Sequence, residues 1–266
     1  MQCIRKASIQ MFVQSVFLLV MIHSPALGNE QELPTSAIYE ETAPALVLIK
    51  TDKGAGSGFL IDQSGLIATA FHVVEEADAV QVSTSTGDIF DNVQLVAQDQ
   101  RRDLAILKVA GFDLPVARLG NSNDLSPGDR LVIVGNPLGI DSLGGSVTEG
   151  IVSGVRDLGG GFRTIQTDAA ISPGHSGSPV LDSAGDTVGI VSFRLVGGES
   201  LNFAIPINYL RGLQGMLGAN PLSVWSTPLD QTDIAVPSSD AFSRDELSGT
   251  YRSIQAGNVF DVRKGR

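Results

Sequence analysis

Short apolar runs separated by glycine and proline constrain the fold of this chain more than any other feature of its sequence. Residues 45–49 and 131–134 are examples, each rich in Val, Ile and Leu, which is typical of β-strands. Long amphipathic helical patterns are nearly absent, which argues against alternating strands and helices. Two similar series of about six strands, each over roughly 80 residues, predict an all-β fold of two small β-barrels packed side by side.

The same pattern predicts where the folded domain begins and ends. The polar segment before residue 45 is expected to be a loosely attached arm, and the segment after Gly218 is rich in polar residues and proline, as extended or disordered tails are. In chain order, the predicted parts are a leader (1–28), an arm (29–44), a folded domain (45–218) with barrels at about 45–115 and 128–206 and a helix at about 208–216, and a tail (219–266).

The first 28 residues have the pattern of a secretory signal peptide. Arg5 and Lys6 precede an apolar run at 11–22, and the small residues Ala26 and Gly28 follow it. This order predicts cleavage after Gly28 and an exported mature protein, periplasmic or secreted. The apolar run is short for a membrane span of about 20 residues, and an uncleaved membrane anchor is the alternative.

Charge and cysteine content exclude several classes of function. The formal net charge is −11, and a nucleic-acid partner is excluded because binding phosphates requires a basic face. Cys3 is the only cysteine and lies in the predicted leader. The mature protein is therefore expected to lack disulfides, a cysteine nucleophile and cysteine-ligated zinc.

Ser176 is the candidate nucleophile. It lies in a segment with Pro173, Gly174, Gly177 and Pro179, where the backbone can bend sharply. Such a bend lets the serine hydroxyl and neighbouring N–H groups face a common point, as acyl transfer requires. A surface turn could use the same residues, so the interpretation depends on a base elsewhere in the chain.

Histidine is the expected base, and the chain contains three. His23 lies in the predicted leader. His175 is adjacent to Ser176, and neighbouring side chains in an extended segment point in opposite directions. His72, at the end of a predicted strand, therefore remains as the candidate, with a structural histidine as the alternative.

Asp103 is the candidate for the buried acceptor that would hold the imidazole in the required tautomer, because it immediately precedes an apolar strand. A helix cap or an ion pair with Arg101 or Arg102 is the alternative. The order His72, Asp103, Ser176 differs from the serine-first order of the α/β-hydrolases. Their Gly-x-Ser-x-Gly motif is also absent, since Ser178 occupies its last position.

Seven stretches resemble the trypsin-like serine proteases of the bacterial HtrA (Deg) group. They follow one another in the family's order between about residue 45 and residue 212, which makes the resemblance specific. The matching stretches are 56–62, 70–74, 102–109, 134–139, 145–153, 165–171 and 202–206.

This resemblance implies a trypsin-like double β-barrel with the active site in the cleft between the barrels. It implies His72, Asp103 and Ser176 as the catalytic triad, and the backbone N–H groups of Gly174 and Ser176 as the oxyanion hole. The implied activity is an endopeptidase acting on unfolded polypeptides through an acyl-enzyme, with no metal or cofactor. A homo-oligomer is also implied, since trimers are common in the family, although Tyr39 is the only aromatic residue in the predicted arm.

The resemblance also indicates a substrate pocket. Ala170 occupies the position where trypsin-type enzymes carry an acidic residue, so an apolar residue is expected on the amino side of the scissile bond (P1). Ile171, Phe193 and Val191 are the further candidates for the pocket wall. Ser192 lies in the strand that pairs with the substrate backbone in the family, and it is also expected to support Asp103.

Three departures from the family pattern remain. His175 replaces a common Asn or Asp, and Ser178 replaces the usual second glycine after the nucleophile. The segment after Gly218 is too short and polar for a PDZ domain, so activation through PDZ peptides is not expected. An inactive or latent protease-fold protein with a binding or chaperone-like role is the alternative function.

Overall fold

A computed structural model describes residues 32–135, 145–172, 174–192, 202–226 and 228. The described residues from Leu33 onward belong to one compact unit. The described strands are β1 (Leu46–Thr51), β2 (Gly54–Asp62), β3 (Leu66–Ala70), β4 (Val80–Thr84), β5 (Ile89–Phe90), β6 (Val93–Asp99), β7 (Leu104–Lys108), β8 (Arg130–Gly135), β9 (Ser146–Asp157), β10 (Arg163–Thr167), β11 (Pro179–Leu181), β12 (Thr187–Val191), β13 (Asn202–Pro206) and β14 (Ser223–Trp225), and the described α-helices are α1 (Thr35–Thr42) and α2 (Ile207–Gln214).

The strands form two antiparallel sheets. The first has eight strands in the order β14–β6–β7–β3–β2–β1–β4–β5, and the second is a closed six-stranded barrel in the order β10–β13–β12–β11–β8–β9. Residues of β4 approach those of β6, so the strands between them curl round toward a barrel. The prediction of an all-β double-barrel fold is confirmed, although the first sheet contains two more strands than expected.

Strand β8 is apolar at every position from 131 to 134, with no alternation of apolar and polar residues, because both of its faces are buried. Leu131 and Ile133 pack inside the second barrel, whereas Val132 and Val134 join the larger core that includes the first barrel. Successive side chains of a strand point to opposite faces, so β8 is buried on both of them. The strand therefore belongs to the core that joins the two barrels.

The predicted loose arm is wrong for the part of it that the structure describes. Residues 35–42 form helix α1, and Ile38 is fully buried on it together with Thr42. The backbone N–H of Leu33 donates to the Ser183 carbonyl at 2.8 Å. Ile38 and Thr42 share one helix face because they are four residues apart, and that narrow stripe in a polar segment gave no clear sequence signal.

The first residues of the predicted tail (219–266) also belong to the folded domain. Residues 223–225 form β14, which pairs with β6 so that Trp225 lies opposite Val93. The Trp225 Nε1–H donates to the Ala77 carbonyl at 2.9 Å. Helix α2 spans 207–214, against the predicted 208–216. The predicted leader and residues 229–266 lie outside the described residues.

Across the described ranges, no helix combines the length and apolar character that crossing a membrane requires.

Candidate active site

Strand pairing brings His72 and Asp103 together. Strands β3 and β7 are antiparallel neighbours with Ala70 opposite Leu104, so the residues after β3 meet the residues before β7. His72 lies in a 3₁₀ turn that directly follows β3. Its backbone N–H donates to Asp103 Oδ1 at 2.8 Å, and its Nδ1 lies 2.7 Å from Asp103 Oδ2.

Asp103 is almost completely buried and is held by several donors. Ser192 Oγ, at the end of β12, donates to Asp103 Oδ2 at 2.5 Å, so the expected contact between these residues is confirmed. Burial by itself raises the pKa of Asp103, but the hydrogen bonds and charge of His72 and the Ser192 hydrogen bond outweigh it, and the pKa lies below its ordinary value. The carboxyl group therefore stays ionised and can hold an imidazolium.

The neighbouring arginines have other partners. Arg102 forms an ion pair with Asp99 at 2.6 Å, and Arg101 donates to the carbonyl oxygens of Gly159 and Gly160. The alternative of an ion pair between either arginine and Asp103 is therefore wrong. Asp103 itself has a φ of +56°, a left-handed conformation that aspartate tolerates better than most residues.

Ser176 completes the hydrogen-bonded series from the second barrel. Its Oγ lies 2.9 Å from His72 Nε2. Ser57 in β2 fixes the surrounding loop, because its backbone N–H donates to the Ser176 carbonyl at 2.8 Å and its Oγ donates to the Gly174 carbonyl at 2.6 Å. The nucleophile candidate is thus held by residues of both barrels.

The peptide plane before Ser176 orients its N–H group. The His175 carbonyl accepts a hydrogen bond from the Ser178 N–H at 2.8 Å. The N–H of a trans peptide points opposite to its C=O, so the Ser176 N–H faces away from Ser178. Within the described part of the chain, neither this N–H nor that of Gly174 donates to another protein group. Both are available to a ligand.

His175 contacts Ser172 and Ser146, not the Ser176 hydroxyl. Its Nδ1 lies 2.8 Å from Ser172 Oγ, and its Nε2 lies 3.1 Å from Ser146 Oγ. The elimination of His175 as the base therefore agrees with the geometry. Sequence reasoning did not identify Ser57 or Ser146 as part of this site. Both lie in stretches that match the family, but nothing in those stretches indicates a contact with a loop so far along the chain.

The predicted pocket residues have different surroundings. Ala170 is exposed, and its carbonyl accepts a hydrogen bond from Thr148 Oγ1 at 2.9 Å. Ile171 is half-buried against the core of the second barrel, and Val191 is fully buried inside that core, with no exposed surface for a substrate to touch. Phe193 lies outside the described residues.

The arrangement has the groups required for nucleophilic catalysis. A neutral imidazole between a buried carboxylate and a hydroxyl can accept the hydroxyl proton and then be stabilised as a cation. The backbone N–H groups of Gly174 and Ser176, which have no acceptor among the described residues, can bind a developing oxyanion. No group of three or more His, Cys, Asp or Glu side chains suited to holding a metal ion occurs among the described residues.

Comparison with known proteins gives a consistent result. Residues 56–190 match the family described as trypsin-like peptidase domain. The chain is 43% identical over 171 residues to a protein of Pseudomonas savastanoi pv. phaseolicola named "Probable periplasmic serine endoprotease DegP-like", covering 62% of this chain and 35% of that protein. It is 36% identical over 193 residues to "Serine protease HTRA1" of Xenopus tropicalis, covering 65% of this chain and 41% of that protein.

A solved structure has the same fold. "HtrA-type protease AlgW with tripeptide" superposes with a TM-score of 0.62 at 34% sequence identity, covering 69% of this chain and 64% of that chain. The chain spans less than half the length of the two curated relatives.

Proposed function

Because this chain belongs to the trypsin-like peptidase family and its domain is of the HtrA type, we propose that it is a serine endopeptidase. The observation that carries the proposal is the continuous hydrogen-bonded series Asp103–His72–Ser176, with separations of 2.7 and 2.9 Å. Residues of both barrels contribute to it, so the site exists only in the folded domain.

The roles follow from the hydrogen bonds. As Ser176 Oγ attacks the substrate carbonyl carbon, His72 Nε2 takes its proton, and Asp103 stabilises the imidazolium through Nδ1–H. The N–H groups of Gly174 and Ser176 bind the oxyanion, and loss of one such donor typically lowers the rate by about 10² to 10³. His72 then protonates the leaving amine, and water repeats the sequence on the acyl-enzyme.

The proposed specificity is for an apolar P1 residue. Ala170 and Ile171 offer no carboxylate to pair with Arg or Lys, and an unpaired buried charge is strongly disfavoured. A series of peptide substrates that differ only at P1 tests this. Val or Ala is expected to exceed Arg in kcat/KM, and a tenfold preference for Arg would overturn the proposal.

Export is proposed from residues 1–28, whose basic residues, apolar run and small residues have the pattern of a signal peptide. The relative from Pseudomonas savastanoi is named as periplasmic. Expression in a bacterial host followed by N-terminal sequencing tests the proposal, which predicts a mature protein that begins at Asn29. A membrane-bound product that retains the intact N-terminus would support the anchor instead.

Covalent labelling of Ser176 tests the activity itself. A fluorophosphonate is expected to label the wild-type protein and not the Ser176→Ala variant, and wild type alone is expected to hydrolyse unfolded casein. If wild type neither labels nor cleaves over a range of pH, temperature and added peptide, the protein is an inactive protease-fold binding protein.

A further inference from the structure

His175 is a buried titratable residue that the mechanism above does not use. Its side chain is about as buried as that of Ser176, with 3% relative exposure against 6%. It lies beneath the loop that carries the oxyanion N–H groups, between Ser172 on one side and Ser146 at the start of β9 on the other. A buried imidazole held on both sides acts as a link between two segments.

The ring nitrogens of His175 face Ser172 and Ser146. Both backbone groups of Ser172 lie 3.2 Å from Nδ1: its N–H, which can only donate, and its carbonyl, which can only accept. Ser172 Oγ is nearer, at 2.8 Å, and a hydroxyl suits either tautomer. Nε2 lies 3.1 Å from Ser146 Oγ, so the neutral ring can link the two segments in either tautomer.

The turn that His175 stabilises also carries the N–H groups proposed to bind the oxyanion. The His175 N–H donates to the Ser172 carbonyl at 3.0 Å, which closes the turn formed by residues 172–175. The contact between the imidazole and Ser172 stabilises the same turn a second time. Gly174 lies inside that turn. The N–H of Ser176 belongs to the peptide group that begins at His175. A shift of this ring would therefore move both N–H groups.

We propose that neutral His175 is a positioning residue, which fixes the turn presenting the N–H groups of Gly174 and Ser176 to the oxyanion by linking Ser172 to Ser146. This inference rests on the proposed peptidase activity. His175 itself touches no reacting atom. Its effect is on the geometry of the transition state, so it is expected in kcat more than in KM.

Protonation of His175 changes the link to Ser172. Both ring nitrogens of the cation donate, so the N–H of Ser172 faces a donor and only the oxygens of Ser172 can accept. Burial lowers the pKa of His175, although a hydrogen bond to the Ser172 backbone acts in the opposite direction, so the neutral form is kept near neutral pH.

No nearby carboxylate compensates the added charge. Among the described residues, hydroxyl and backbone groups bond to His175, and no acidic side chain does. Glu149, the acidic residue of β9 nearest to Ser146 in sequence, is paired with Arg130. The Tyr39 hydroxyl, from α1, donates to the Gly145 carbonyl beside Ser146.

Three variants test the proposal. His175→Ala is expected to lower kcat by about 10- to 100-fold with KM changed less than about twofold, since misaligned oxyanion donors act only in the transition state. His175→Asn is expected to recover most of this loss, because its amide oxygen can accept from Ser172. Ser178→Ala is the control in the same loop, since its buried Oγ has no partner among the described residues.

The pH dependence of kcat/KM shows whether His175 acts through its hydrogen bonds or only by filling space in the core. The acid limb of wild-type log(kcat/KM) should be steeper by one proton than that of His175→Asn, because only the wild-type loop has an imidazole at position 175 that can take up a proton. Equal acid slopes for the two proteins, or a kcat of His175→Ala within about twofold of wild type, would overturn the proposal.

A second readout does not depend on catalysis or on the folding of His175→Ala. The amide NMR resonances of Gly174 and Ser176 should shift together as wild-type His175 titrates, and that shared transition should be absent in His175→Asn. Unchanged titration in the Asn variant would contradict the role of His175. Absence of fluorophosphonate labelling in wild type would instead contradict the peptidase activity. The NMR titration would still test the role of His175, because it does not require catalysis.

Discussion

Ser192 in the second barrel donates a hydrogen bond to Asp103 in the first, with 2.5 Å between Oγ and Oδ2. Both residues are almost fully buried. The two barrels are therefore joined at the carboxylate that orients His72, and a hydrogen bond to a charged group in such a place contributes about 1.5–3 kcal/mol.

Replacement Ser192→Ala should weaken both the site and the fold, and it should weaken the fold most near neutral pH. The pKa of Asp103 is lowered in the fold, so its stabilising contribution is present above the unfolded value and is lost as pH falls through the folded value. Without the Ser192 donor the folded pKa rises toward the unfolded value, so the contribution of Asp103 becomes smaller. Wild type and variant should then converge in stability as pH falls through the folded value. We expect kcat/KM to fall roughly tenfold. Urea unfolding at several pH values and peptide hydrolysis measure the two effects.

Thr187→Val is the matched control for Ser192→Ala. Thr187 lies in β12, the strand that Ser192 directly follows, and its buried Oγ1 has no partner among the described residues. Removing this hydroxyl should leave activity and its pH dependence unchanged. Equal effects of the two substitutions would mean that the Ser192 hydrogen bond contributes nothing specific.

Asp103→Asn should remove activity while leaving the fold intact. The amide oxygen can still accept from the His72 N–H, which places the amide nitrogen opposite Nδ1. Nδ1 must then accept, so Nε2 carries the hydrogen and cannot take the proton of Ser176. This tautomer error lowers kcat by about 10⁴. Single-turnover acylation by a chromogenic peptide ester measures it.

The control is Asp99→Asn, which makes the same chemical change in a carboxylate paired with Arg102 and partly exposed. Acylation should stay within about threefold of wild type, because such a pair contributes about 0–1 kcal/mol. Rapid acylation by Asp103→Asn near neutral pH would show that Asp103 does not set the tautomer.

The sequence was sufficient to predict the strands and to select the three residues that the structure brings together at the candidate site. Apolar runs such as 131–134 are short, rich in β-branched residues and bounded by Gly and Pro, which favours a buried strand over a helix. His72 and Asp103 could be identified because each adjoins the end of such a strand, and because few histidines compete for the role. Their adjacency required only that β3 and β7 be neighbours.

Features that depend on distant contacts could not be predicted in the same way. Ile38 and Trp225 lie in segments that are polar as a whole, and nothing local shows that one joins the core or that the other reaches the Ala77 carbonyl. The contacts of Ser57 with the loop around Ser176 are of the same kind. Such residues acquire their roles only when the barrels assemble.

Trp225→Ala should destabilise the fold, although its position suggested a tail. Trp225 has 9% relative exposure and bonds to Ala77, and truncation of a buried tryptophan costs about 3–5 kcal/mol. Val224→Ala, in the same strand but 52% exposed, should change stability by less than about 0.5 kcal/mol. Chemical denaturation of both variants measures the difference, and equal midpoints would show that β14 adds nothing to the fold.

Gly177→Ala should disable the site through crowding, not only through backbone strain. Gly177 has a φ of +85°, and a Cβ at this position would overlap the Ser57 carbonyl oxygen and Thr69 Oγ1. Those atoms belong to the strands that hold the loop of Ser176, so the loop must move. A displacement of about 1 Å lowers catalysis by about 10².

Gly87→Ala separates the two effects. Gly87 has a similar φ of +93°, but a Cβ there would meet nothing within 4 Å, so only the left-handed conformation is penalised, by about 1–2 kcal/mol. Gly87→Ala is therefore expected to lose some stability and keep full fluorophosphonate labelling, whereas Gly177→Ala should lose labelling by at least about 10² in rate. Both variants carry the same backbone strain, so only the crowding differs between them. Normal labelling of Gly177→Ala would mean that the loop accommodates the new Cβ without moving Ser176. The contacts between this loop and Ser57 would then not position the nucleophile.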